Sequence, residues 1–329
     1  MFRYLIIIRP LGFLYGSAGA FLSPENLVGR SGEKFPPGAA TLSGLFFNAN
    51  WDKKEVKKEL KEKLYTAGPF WAKSKYEQDF YVPIPWHRII AGEKIQEIDE
   101  WVLDNNREWQ RQKKYQENED KLEPAFKWQT ITSWGNRQPK CENPPWKFTS
   151  ILHPQMKENE RHTLPKDGLF LENAVQMEED FCLVYLSTHK LPNGWYKFGG
   201  ENHIVEIESK EINEKIIKLL QSEIKQAFAL ITPGVWGSTR FSHRFPQHPD
   251  FKEAKLLTEK AVPYRYSAGG RLRRGRYAVP SGSVYVLKKP INLPWFRFPD
   301  EYFPNEGYSL QHVGCGLCLP IEIQGLSNY

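Results

Sequence analysis

Four arginines, Arg271, Arg273, Arg274 and Arg276, stand within six residues, directly after the pair Gly269 and Gly270. The stretch that holds them, YSAGGRLRRGRYAVPSGSVYVLKK (266–289), contains no acid. A guanidinium grips a phosphate in two-pronged fashion, so clustered arginines without carboxylates suit a polyanionic backbone. Glycine carries no Cβ and lets such a backbone come close. Tyr264, Tyr266 and Tyr277 flank the cluster and offer rings on which the bases of single-stranded RNA stack. The alternatives are a solubilising hairpin or a contact with an acidic protein surface. A second basic stretch, GVWGSTRFSHRF (234–245), adds Arg240, His243 and Arg244.

Signatures of enzymatic chemistry are sparse. There is no G-x-x-x-x-G-K-[ST] phosphate loop and no H-E-x-x-H. HVGCGLCL has two glycines where a dinucleotide fingerprint needs three. Metal-independent RNA cleavage through the 2′-hydroxyl needs a general base. His243, between Arg240 and Arg244, is the weak candidate for that base, and His203, close to Glu201, is second. A single histidine without a placed partner reads better as a structural or RNA-contacting residue. The reading is therefore non-catalytic, with a metal-independent endoribonuclease that matures repeat RNA as the alternative. Cys315 and Cys318 form a C-x-x-C, but no second pair exists to complete a zinc site. Core cysteines are expected, and no metal or cofactor is implied.

The elements that would position these residues follow from patterning. Residues 2–9 read as a continuous apolar strand, the kind buried on both faces of a sheet, around the run YLIII (4–8). A loop rich in Gly, Pro and Ser (10–38) carries Arg30 and Lys34, then KFPPGAATLSGLFF signals a helix start, which attracts phosphate. WDKKEVKKELKEKLY (51–65) reads as a helix with Val56, Leu60 and Leu64 on one stripe and a solvated charged face. Ile95, Ile98, Trp101 and Val102 suggest another helix, inside a long polar insertion (92–161) expected to contact something outside its own domain. GLFLENAVQMEEDFCLVYLS (168–187) reads as two strands around a turn, and FGGENHIVEIES (198–209) as a glycine bend and a strand. Ile212, Ile216, Leu219, Leu220, Ile224 and Phe228 place a helix over 210–229. YSLQHVGCGLCLPIEI (308–323) is a closing strand with a glycine loop leading in. The fold class expected is α+β, two tandem sandwiches with helices on one face of an antiparallel sheet, divided into 1–161 and 162–329.

Composition agrees with a packed, cytoplasmic chain. Of 329 residues, 40% are hydrophobic and 14% aromatic, so a substantial core is available. The net charge of +6 matters less than its concentration in the two basic stretches. Four cysteines are too few for a disulfide scaffold of this size, which points to a reducing compartment. The opening apolar run breaks at Arg9-Pro10, too short for the apolar region of a signal peptide, and no apolar segment is long enough to span a bilayer.

Taken in order, the motifs resemble one family. IRPL, FPPGAATLSGLFF, GPFW, GLFLENAVQ, FGGEN, LITPG, GGRLRRGRYAVPSGSVYVL and HVGCGLCLP together are similar to the RAMP subunit of type III-B (Cmr) CRISPR effector complexes that holds the 5′ handle of the guide RNA. Related type III-D subunits share these motifs. The similarity covers both ends and most of the second half, and leaves 92–161 unplaced. It implies two ferredoxin-like (RRM-like) domains and a non-catalytic subunit of an antiviral ribonucleoprotein. That subunit would grip the crRNA 5′ handle and dock a large polymerase-like subunit and a backbone RAMP subunit. The resemblance carries the family's glycine loops onto Gly199 and Gly200, Gly269 and Gly270, and Gly314 and Gly316. It carries the basic loop onto the four arginines and the helix start onto Thr41 and Ser43. The last glycine loop departs from the family, which more often has an aromatic where Cys315 stands.

Overall fold

The structure, a computed structural model, describes residues 1–15, 35–92, 97–116, 121–154, 157, 162–163, 168–199, 203–237, 241–268 and 271–326. It is an α+β chain with far more strand than helix. Its centre is an eight-stranded antiparallel sheet. The inner strands are β14 (His203–Glu211), β1 (Tyr4–Pro10), β12 (Phe181–Ser187) and β3 (Thr66–Lys73), in that spatial order. β13 (Gly194–Phe198) flanks β14 at one edge. Beyond β3 come β4 (Tyr81–Pro83), β8 (Trp128–Thr130) and β9 (Cys141–Glu142). β12 is antiparallel to both β1 and β3, so β1 and β3 run parallel. A parallel pair needs a crossover, and α1 (Ala39–Ala49) and α2 (Lys54–Lys63) supply it.

β1 shows why the apolar run is continuous. Leu5 and Ile7 face one core, with Ala67, Phe70, Val184 and Leu186. Ile6 and Ile8 face the other, with Leu42, Leu45 and Phe46 of α1. All four β1 residues are fully buried, as period-two side chains on a sheet covered on both sides must be. α1 begins after Pro36-Pro37-Gly38, and the Thr41 N–H donates to the Gly38 carbonyl at 2.9 Å. Its buried Leu42, Leu45 and Phe46 keep the i, i+3, i+4 spacing of one helix face. In α2, Leu60 is buried, and Leu64 just after it, but Val56 is 37% exposed and lies outside the core stripe expected of it.

A second, four-stranded sheet has the order β18 (Lys255–Leu257), β23 (Val284–Val286), β15 (Ala227–Leu230), β24 (Cys318–Pro320). Phe228 and Leu230 of β15 point into the core shared with β1. Ala227 and Ala229 point the other way, toward Leu103 and Ile323. The division expected at 161/162 therefore does not separate two sheets. Residues 181–211 pair beside β1 in the first sheet, and the second begins after them.

One expected helix is shortened, with its tail in a strand, and another is a strand throughout its described residues. The helix over 210–229 shortens to α3 (Glu214–Leu220), capped by the Asn213 side chain accepting from the Ile216 N–H. The tail leaves the helix because β15 gains ladder partners on both sides, Phe228 pairing with Tyr285 and with Pro320. The second expected helix is instead β6 (Glu97–Leu103), between β5 (Arg88–Ala91) and β7 (Trp109–Arg111). Asp99, buried on β6, accepts from Arg111 Nε at 2.5 Å, Tyr115 Oη at 2.8 Å and the Lys113 N–H at 3.0 Å, which ties the meander together.

The polar insertion is largely built into the fold. β8 and β9 extend the central sheet. Leu103, Trp109 and Trp134 of the insertion, with Trp86 before it, cover the outer face of the second sheet. The Trp134 indole donates to the Pro320 carbonyl at 2.9 Å, and the Leu103 N–H to that of Gln324 at 3.2 Å. β10 (Trp146–Pro154) and β11 (Leu169–Met177) form a long hairpin, joined by β2 (Leu14–Tyr15). The two strands expected over 168–187 are thus β11 and β12, in different sheets. Among the described residues no helix is long and apolar enough to cross a membrane.

Candidate nucleic-acid interface

The arginine cluster lies on an antiparallel arm. β19 (Val262–Tyr264) pairs with β22 (Arg276–Ala278), and further out β20 (Ser267–Ala268) pairs with β21 (Arg271–Leu272). Gly269 and Gly270, between β20 and β21, lie outside the described residues, as does the side chain of Arg271. Period-two alternation on β22 points Tyr277 outward and Arg276 and Ala278 inward. Arg274 is exposed and Arg273 half-buried. The Arg273 N–H donates to the Tyr266 carbonyl at 2.9 Å, and its own carbonyl accepts from Arg265 Nε at 2.8 Å.

The arm is acid-free in sequence but not in space. Glu306 enters beneath it and pairs with Arg276, whose Nε donates to Glu306 Oε1 at 3.1 Å and whose second guanidinium nitrogen bonds the same oxygen. The two side chains are 3% and 9% exposed. Tyr266 Oη donates to the other carboxylate oxygen at 2.7 Å. Burial raises the Glu306 pKa, but the bonds from Arg276 and Tyr266 outweigh it and hold the carboxyl below its ordinary value. Arg276 is therefore an internal anchor of the arm, buried against Glu306 and not presented to solvent. Tyr264 and Tyr266 likewise pack against the core, so of the three tyrosines expected to stack bases only Tyr277, 49% exposed, presents a ring to solvent.

The second basic stretch folds beside this arm. β16 (Trp236–Gly237) pairs with β17 (Ser242–His243). The Tyr277 N–H donates to Ser242 Oγ at 3.0 Å. Arg244 is exposed, and its backbone is held from below: the buried Trp236 indole donates to Tyr285 Oη at 2.8 Å, and that hydroxyl donates to the Arg244 carbonyl at 2.7 Å. Phe241 is 62% exposed. His243 is exposed, with Nε2 3.4 Å from Gln247 Nε2. Arg240 lies outside the described residues.

α1 gathers the remaining segments. It packs beside β20 of the arm, beside β13, and beside the 3-10 turn Leu310–Val313 that precedes the last glycine loop. Thr41 and Ser43 are half-buried on this helix. Gly199 follows β13 with φ +78°, while Gly200 and Arg30 lie outside the described residues. Gly314 and Gly316 are not surface residues. Gly314 has φ +72°, and a Cβ there would meet the Ala67 Cα at 2.6 Å. Gly316 has φ +62°, and a Cβ would meet the Trp236 ring at 2.2 Å. Both are buried, so glycine here lets protein approach protein, and neither offers a surface to RNA in this chain. Cys315 between them takes the Val235 N–H on Sγ at 3.0 Å, and burial pushes its thiol up to about 12. Among the described residues no group of three or more His, Cys, Asp or Glu side chains is placed to hold a metal.

Two residues of the interface had different visibility in the sequence. Phe241 was signalled by its place between Arg240 and Arg244, an aromatic interleaved with cations. Glu306 had no signal, since its partner lies 30 residues away.

No protein-family model matches the chain, and no curated protein matches it. Among solved structures, a chain of the type III-B Cmr-beta complex bound to cognate target RNA superposes with a TM-score of 0.50 at 11% identity, covering 86% of this chain and 86% of that one. The shared fold is that of a chain in a type III-B effector complex. The same complex with cognate target RNA and AMPPnP gives a TM-score of 0.51 at 11% identity, with 86% of both chains covered. The Csm1-Csm4 cassette with AMPPNP gives 0.40 at 10% identity, covering 88% and 97%, below the level from which a common fold is argued.

Proposed function

We propose that this protein is a non-catalytic RNA-binding and assembly subunit of a type III CRISPR effector complex, that it holds the crRNA 5′ handle, and that it serves antiviral defence. The observation that carries the reading is the basic arm lying beside α1, with Arg274 and Arg244 exposed on two neighbouring hairpins. Support comes from the fold shared with the Cmr-beta chain and from the ordered motifs. On this reading the chain is built from two RRM-like units. The central order β14-β1-β12-β3, with its parallel pair and α1–α2 crossover, fits the first. The subunit docks a large polymerase-like subunit and a backbone RAMP subunit. Target sequence is read by guide pairing, while the protein reads backbone shape and the handle.

The test is fluorescence anisotropy with RNA that begins with the repeat-derived handle and with a scrambled control, across a salt series. The handle RNA binds more tightly and with a steep salt slope. Replacing Arg271, Arg273 and Arg274 by Ala removes three cations and lowers that slope by about 2, at roughly 0.7 per phosphate on a single strand. An unchanged slope removes the arm from the interface. Incubation with repeat RNA plus chelator leaves the RNA intact; cleavage that disappears in His243→Ala would instead favour a ribonuclease.

A further inference from the structure

Phe241 and Tyr277 come from stretches 36 residues apart in the chain, yet the fold sets them on adjoining hairpins. The Tyr277 N–H donates to the hydroxyl of Ser242, the residue that follows Phe241, at 3.0 Å. A single backbone-to-side-chain bond therefore ties together the two segments that carry the rings. Both are exposed, at 62% and 49%, whereas the aromatic residues of the core beneath them are buried. Trp236, Tyr285, Tyr302 and Phe303 all lie inside, within one core.

The ground beneath the rings is fixed. Tyr285 Oη bonds the Arg244 carbonyl, Trp236 bonds Tyr285, and Gly237 (φ +97°) brings His243 so close that a Cβ would meet its ring at 2.2 Å. The strand carrying Tyr277 is held from the other side by the buried Arg276–Glu306 pair. An exposed ring on a rigid backbone loses little conformational freedom when something stacks on it. The acid beneath the arm, Glu306, is buried and already paired with Arg276, so the exposed charge contributed by the two stretches is positive. Arg244 and Arg274 are exposed, and neither 234–249 nor 260–299 contains an acid.

We propose that Phe241 and Tyr277 form a stacking platform for consecutive bases of single-stranded RNA, with Arg244 and Arg274 on its phosphates. This rests on the RNA-binding reading above and deepens it, adding a sequence-tolerant stacking contact to the same basic surface. Stacking on aromatic faces is indifferent to base identity, so the platform takes any unpaired strand and rejects a duplex, whose bases are already stacked.

The probe is a fluorescent 15-nucleotide unstructured RNA, with a hairpin duplex of equal length as control, titrated with the full chain at several salt concentrations. Phe241→Ala and Tyr277→Ala each weaken binding to the single strand by roughly five- to a hundredfold, the range seen when one stacking ring is removed. The salt slope stays constant, because no cation is lost. Phe241→Tyr and Tyr277→Phe restore binding. Arg244→Gln differs, weakening binding and lowering the slope together. Both rings are exposed, so the Ala variants keep the wild-type urea midpoint, which serves as the folding control. If the double Ala variant binds the single strand as wild type does, the platform is refuted while the handle reading stands; the rings then serve a protein contact. If wild-type protein binds no RNA even at low salt, both readings fall.

Discussion

Removing the Glu306 carboxylate isolates one structural argument. In Glu306→Ala, Arg276 keeps its place in the interior, because only 3% of its side chain reaches solvent, but loses its counter-charge. Breaking a buried ion pair from one side costs about 3–5 kcal/mol, most of it from the orphaned charge. Tyr266 also loses its acceptor, worth about 1 kcal/mol. For a chain whose urea dependence is about 3 kcal/mol per molar, the midpoint falls by about 1–2 M. The control is the double variant Arg276→Met/Glu306→Leu, which replaces the pair by apolar side chains of similar size. Such replacements come out near neutral, so it recovers most of the loss. Urea denaturation followed by tryptophan fluorescence reads both. A shift below about 0.3 M in Glu306→Ala would mean that the pair is not desolvated. A double variant as unstable as the single would mean that the damage is lost packing and not stranded charge. Either result removes Arg276 from its role as anchor of the arm.

Three further outcomes follow from particular positions. His87 is buried, and burial, with the neighbouring Arg88 charge, lowers its pKa to about 3. The unfolded chain takes up this proton near pH 6.5 and the folded chain only near 3, so stability falls as pH drops through that window, by about 1.4 kcal/mol at pH 5.5. His87→Leu removes this component; urea midpoints at pH 7.5 and 5.5 must converge in the variant by that amount, and an unchanged pH dependence would refute the buried neutral imidazole. Gly316→Ala drives a methyl to 2.2 Å from the Trp236 ring at φ +62° and costs about 1–3 kcal/mol. Gly44→Ala, in the middle of α1 with nothing within 4 Å of its Cβ, stabilises by about 0.5–1 kcal/mol, and thermal melts that fail to separate the two would contradict the packing described.

What the sequence determined by itself is what short-range spacing encodes. The double-sided burial of β1, the helix after Pro36-Pro37-Gly38, the turn between β11 and β12, the closing strand and the concentration of arginines in one arm are all legible, because each depends on residues a few positions apart. The tertiary structure decided the rest. The apolar spacing around 212–228 suits a helix, but Phe228 is claimed by strands at 285 and 320. Residues 97–103 alternate too weakly to announce a strand, and the buried Asp99 with its bonds to Arg111 and Tyr115 makes them one. The insertion reads as polar and external, yet Leu103, Trp109 and Trp134 close the outer face of the second sheet. Arg276 is indistinguishable from Arg274 along the chain. Only a carboxylate arriving from position 306 turns one into an internal anchor and leaves the other at the surface. Pairing partners and desolvation are long-range properties, set by which segments meet, and local patterning carries no record of them.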